Sequence, residues 1–162
     1  MLTTTTRVGT AAAATAVLVG AFVLSSRTEN LGQSVRPGIV TATYKCADQV
    51  GDVKLSAAKK GSDATVEVRL PDFKSPVPLF SGVLRTRLTL ARTDGGTVTF
   101  EGADNPTIAR GEPVRSGPLK GTIKAGDLLD SRVGRQSLSA NVLGYKIKCV
   151  AKSKLAPGPL AF

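Results

Sequence analysis

Few side chains in this sequence could take part in chemistry, and they fall into three small sets. Asp127 and Asp130, in GDLLD, are spaced as two carboxylates that could share acid–base work or hold a cation. The same residues serve as a turn cap or a solvated loop, and that is the role expected of them. Asp48 and Asp52, in CADQVGD, could offer oxygens to calcium, but calcium needs more ligands than this stretch supplies, so a plain turn is expected. Ser137 and Ser139 with Lys146 could form a serine–lysine pair, yet no second motif accompanies them. The chain has no histidine, which excludes Ser-His-Asp and Cys-His nucleophile systems and the common zinc sites. No glycine pattern resembles a phosphate-binding loop, and Gly95 and Gly96 suit a tight turn. These residues point away from an enzyme and imply no metal and no cofactor.

The two cysteines are Cys46 and Cys149. How they should be read depends on the start of the chain, MLTTTTRVGTAAAATAVLVGAFVLSS, where Arg7 precedes an apolar run from Val8 to Leu24. That is the anatomy of an export signal, and residues 1–26 are expected to be a signal peptide, with Val23 and Ser25 as the small pair before the cut. The run is near the lower length limit for a membrane span, so an uncleaved anchor is the alternative. Outside the reducing cytosol a pair of thiols forms a disulfide, and two cysteines allow one intramolecular connectivity, Cys46 to Cys149.

These residues must be positioned by strands. The chain has 162 residues, 41% of them hydrophobic, with 17 glycines, 9 prolines, no tryptophan and 4% aromatics. Such a composition favours short strands and turns around an aliphatic core in one domain. Residues 27–37, ending in RPG, read as a linker, and residues 38–154 as the folded domain. In IVTATYKC, Val40, Ala42, Tyr44 and Cys46 share one face. DVKLS places Val53 and Leu55 together, and ATVEVRL does the same with Val66, Val68 and Leu70. GVLRTRLTLARTDGGTVTFEG reads as a hairpin: Leu84, Leu88 and Leu90 alternate with Arg85 and Arg87, and a turn at Asp94 to Gly96 leads into Val98 and Phe100. Residues 102–117 read as loop with at most a short edge strand near Thr107 to Ala109. LKGTIKAG sets Leu119 and Ile123 opposite Lys120, Thr122 and Lys124. DLLDSRVGRQSLSANVLG fits a short helix, a helical turn or a bent strand. LGYKIKCVAK is expected to bury Tyr145, Ile147 and Cys149 and to expose Lys146 and Lys148, and the end, 155–162, reads as a flexible tail.

Seven or eight such strands suggest an all-β protein: a two-layer antiparallel β-sandwich, immunoglobulin-like in architecture, with one disulfide joining its first and last strands. A flattened β-barrel is the alternative. With TYKC near the start, VPLFSG and GTIKAGD in the middle and YKIKCVAK near the end, the stretch from Val40 to Ala151 resembles exported actinobacterial domains of unknown function. Those domains start on a Tyr-x-Cys strand and end on a second cysteine. The resemblance implies a secreted β-sandwich with one disulfide and carries no catalytic residues.

Charge is the remaining signal. The formal net charge is +10, and Arg110 to Lys154 holds ten basic residues against Glu112, Asp127 and Asp130. Lys120, Lys124, Lys146 and Lys148 all fall on outward positions and are expected to combine into one anion-binding surface. The function expected is therefore a secreted, basic, non-enzymatic binding module, extracellular or envelope-associated, held electrostatically to an anionic envelope polymer or an acidic lipid surface. The alternative is an extracellular protein-partner or inhibitor module that presents a proline-containing loop, DFKSPVPLF or DNPTIARGEP. Nucleic acid fits poorly, since both tyrosines are expected inward and base stacking needs exposed rings. A monomer is expected.

Overall fold

A computed structural model describes residues 38–162, and these contain strands, turns and loops but no helix. The expected signal peptide and linker, 1–26 and 27–37, lie outside the described residues. The described residues, 38–162, form one compact unit. Its strands are β1 (Val40–Cys46), β2 (Gln49–Lys60), β3 (Asp63–Lys74), β4 (Leu84–Arg92), β5 (Thr97–Gly102), β6 (Pro113–Thr122), β7 (Leu128–Asp130), β8 (Gln136–Val142), β9 (Tyr145–Ala151) and β10 (Leu160–Ala161).

Among the described residues, eight strands form a ring in the order β4-β5-β6-β3-β2-β1-β9-β8, and β8 pairs back onto β4 through Leu84↔Val142 to Leu88↔Leu138. The pairings around the ring are antiparallel. The all-β, antiparallel expectation with one disulfide is met, and of the two architectures it is the barrel that forms. A sandwich would leave two sheets with open edges; the β4–β8 ladder removes them.

The alternation read from the sequence sets the interior. Val40, Ala42, Tyr44, Val53, Leu55, Val66, Val68, Leu88, Leu90, Val98, Phe100, Leu119 and Ile123 are all buried in one core. Each large aliphatic or aromatic side chain there contributes roughly 1.5–3 kcal/mol relative to exposure. Small residues let the walls close. β5 and β6 meet at Glu101↔Lys120, and a Cβ on Gly121 would stand 2.6 Å from the Phe100 ring, so only glycine fits there. The other thin seam is β1–β9, which has three register pairs. One of them is Cys46↔Cys149, and these two cysteines form the disulfide.

Three local expectations are corrected. Residues 155–162 are not a flexible tail: Leu155 and Leu160 are buried, β10 pairs with β7, and β7 pairs with the end of β4. Thr41 and Ala156 exchange two backbone hydrogen bonds of 2.9 and 2.8 Å, and the Phe162 ring stacks on Phe100 with centroids 6.1 Å apart. The apolar residues Leu155, Leu160 and Phe162 give this segment enough surface to bury, so it covers one barrel end. The folded domain therefore runs beyond residue 154. At the other end, β6 begins at Pro113, inside the stretch expected to be loop; near Ile108, where at most a short edge strand is expected, there is a single bridge, Leu79↔Ile108. The stretch left open between helix and strand becomes β7 and β8.

The third correction concerns β9. Tyr145 and Ile147 do share a sheet face with Cys149, but they are 81% and 45% exposed, while Cys149 is buried. β1 reaches β9 only at residues 149–151 and then turns away through Ala47, so the β8–β9 hairpin outruns the wall that would cover it. The inward parity is right; the core ends before it reaches Tyr145.

Candidate anion-binding surface

The barrel order decides which of the basic residues can act together. Lys120 lies on β6 and Lys124 in the turn after it, whereas Lys146 and Lys148 lie on β9. β6 and β9 are four strands apart in either direction around the eight-stranded ring. The four lysines thus do not share a surface, which corrects the expectation of a single patch: outward parity was legible, but strand adjacency was not.

Each pair has other neighbours. Lys120 stands opposite Glu101, and Glu101 opposite Arg87, with Arg87 Nε 2.7 Å from Glu101 Oε1. Lys124 donates its backbone N–H to Asp127. On the far wall two register rows run across β4, β8 and β9: Arg85↔Asn141↔Lys146 and Arg87↔Ser139↔Lys148. Arg85, Arg87, Lys146 and Lys148 are exposed on the outer face, with the short polar side chains of Asn141 and Ser139 between them. Among the described residues, Arg85, Lys146 and Lys148 have no acidic partner within ion-pair distance. Strands 4.7–4.9 Å apart place the two cationic columns about 10 Å from each other, close enough for one anionic chain to bridge them.

A second cationic row was missed in the sequence. Lys54 on β2 pairs with Arg69 on β3, which pairs with Arg115 on β6. All three are exposed, and they edge a shallow depression with Ile39, Pro71 and Pro113. Like charges placed directly opposite each other are unfavourable in a sheet, and Glu67 offsets part of this by meeting Arg69 at 3.2 Å. The signal that could have found the row is the outward parity of Lys54 and Arg69 together with the hairpin that pairs β2 with β3.

The carboxylates have structural partners. Asp127 is nearly buried and receives the Lys124 N–H at 2.7 Å and Arg92 Nε at 3.1 and 3.2 Å. The Lys124 N–H holds its pKa below the ordinary value, and Arg92 adds to this against the opposing effect of burial. Asp130 accepts the N–H groups of Ser131 and Leu155, which ties the tail to β7. Asp52 accepts from Thr43 Oγ1, and its own N–H donates to Asp72. Among the described residues no cluster of three or more acidic or cysteine side chains is placed to hold a metal ion. Ser139 has Lys148 as its cross-strand neighbour rather than Lys146, and Ser137 is buried in the wall, so the serine–lysine set does not assemble. Tyr44, sealed in the core, has its hydroxyl pKa pushed up by that burial.

The two proline-containing loops lie together. Leu79 and Ile108 exchange backbone hydrogen bonds, and the buried Asn105 amide binds the Leu84 N–H and the Phe80 carbonyl. This holds Val77 and Phe80 exposed on a fixed loop before β4. Fold and surface together define a small closed antiparallel β-barrel with a cationic outer face and a protruding hairpin. No family model, curated protein or solved structure matches this chain.

Proposed function

We propose that the protein is a non-enzymatic binding module for phosphate-rich anionic surfaces outside the cell, and that it binds through the outer face of β4, β8 and β9. The observation that carries this reading is the pair of register rows that align Arg85 with Lys146 and Arg87 with Lys148. A row of exposed cations with few acidic partners attracts polyanions over about a Debye length and holds them by charge rather than shape. The disulfide across the β1–β9 seam suits a chain that folds in an oxidising compartment, and the resemblance to exported domains and the apolar start of the chain support the same location.

Co-sedimentation of the Ser34–Phe162 unit with isolated cell envelopes, at low and high salt, tests the reading. Its own sheet and core make that unit a self-sufficient fold. Binding is expected at low salt, and it should be lost on raising salt or on changing Arg85, Arg87, Lys146 and Lys148 together to Gln. The Lys120→Gln, Lys124→Gln pair should behave as wild type. Equal loss in both variants, or binding indifferent to salt, would overturn the assignment to this face.

A further inference from the structure

The β8–β9 hairpin carries more than charge. Its turn is the two-residue sequence Leu143-Gly144, with φ values of 49° and 93°, closed by the pair Val142↔Tyr145. A turn of this kind favours Asn, Asp or Gly at its first position, because both residues take left-handed backbone. Leucine there is disfavoured by its backbone and, at 84% exposure, by solvent as well. Beside it stand Tyr145 and Ile147, on the sheet face that continues the barrel interior but past the point where β1 covers it. The opposite face of the same hairpin carries Lys146 and Lys148, with Arg85 and Arg87 next to them across β8.

We infer that this hairpin is a membrane-docking device for a bilayer surface rich in anionic lipid. Leu143 at the tip enters the acyl boundary, Tyr145 and Ile147 follow it to the headgroup level, and the Lys and Arg side chains meet the lipid phosphates. An apolar tip flanked by cations matches the layering of an acidic bilayer, apolar below and anionic above, whereas a soluble polyanion offers nothing for Leu143 to enter. Tyrosine suits the boundary because its ring is apolar and its hydroxyl polar. The inference rests on the cationic-face reading and goes beyond it by naming the surface and the depth of contact.

The chain contains no tryptophan, so Tyr145→Trp gives a single reporter at the hairpin. The Ser34–Phe162 unit with this change is mixed with phosphatidylglycerol–phosphatidylcholine vesicles and with phosphatidylcholine vesicles, with brominated acyl chains as depth quenchers. The expected result is a blue shift and quenching on the anionic vesicles alone. Adding Leu143→Asn, which suits the turn and so leaves the fold intact, should weaken partitioning roughly tenfold or more, the worth of one buried leucine. Retention on a polyphosphate column should be unaffected by Leu143→Asn and lost in the variant with Arg85, Arg87, Lys146 and Lys148 changed to Gln. Salt-sensitive vesicle binding with an unshifted, unquenched tryptophan, or with no effect of Leu143→Asn, would overturn insertion and leave the electrostatic reading standing. A blue shift that grows with protein concentration in the absence of vesicles would assign the tip to a second copy of the chain and also overturn it. Failure to bind both vesicles and polyphosphate at low salt would overturn the two readings together.

Discussion

Asp127 shows how a residue with catalytic potential can be taken up by the fold. Its two oxygens are shared between Arg92 Nε and the Lys124 N–H, and it fixes the turn between β6 and β7. Because its folded pKa lies below the ordinary value near 3.8, the stability it contributes is complete above that value and is lost as pH falls through the lower, folded pKa. Acid unfolding should therefore be less steep below about pH 4 in Asp127→Asn than in wild type, as followed by circular dichroism; parallel curves would contradict the role. Leu143 is the opposite case, a residue the fold does not want. Leu143→Asn should stabilise the barrel by about 1 kcal/mol, visible as a rise of a few degrees in Tm. Gain in stability alongside loss of lipid binding is the signature of a residue kept for contact rather than for folding.

The β8–β9 hairpin and the β1–β9 seam show where elements depart from simple alternation. Parity along β9 was legible, since Cys149 must face the core and its lysines must face away. What could not be read was where β1 ends relative to β9, because that register depends on a pairing 103 residues away. A hairpin longer than its neighbour leaves inward-facing residues uncovered, and Tyr145 is the result. The same seam makes the disulfide structurally important. Beside the three register pairs and the hydrogen bonds of Thr41 and Thr43 to Ala156 and Lys152, the bond is the covalent tie across this seam, and the loop it spans makes it worth roughly 4–5 kcal/mol on the chain-entropy account. Reduction should lower the urea midpoint sharply, and Cys46→Ala with Cys149→Ala should behave like the reduced protein. A midpoint unchanged on reduction would show that the hydrogen bonds alone hold the seam.

At the scale of the whole molecule, the sequence carried the class of fold and the inward side of nearly every strand, because a half-buried strand writes its faces in period two. It did not carry closure. β4 pairs with β5 by a local turn that DGG announces, but its pairing with β8 has no local mark, and that pairing makes a barrel of the sheet. The grouping of the cationic residues escapes the sequence at the same step. Lys146 and Lys148 read as outward, yet their neighbours across the sheet are Arg85 and Arg87, some sixty residues earlier, and not Lys120 and Lys124. The tail reads as flexible because proline and glycine mask the three apolar residues, Leu155, Leu160 and Phe162, with which it covers the barrel end.

Whether the β4–β8–β9 face binds anions as one unit is decided by titrating the Ser34–Phe162 unit with polyphosphate at stepped ionic strength, by calorimetry, for wild type and for the Lys148→Gln, Arg87→Gln, Lys120→Gln and Lys54→Gln variants. Affinity should fall steadily with salt in wild type, and the first two substitutions should each weaken binding while Lys120→Gln does not. Equal loss from Lys120→Gln would mean that binding follows net charge and not this face. Selective loss from Lys54→Gln would move the site to the β2–β3–β6 row.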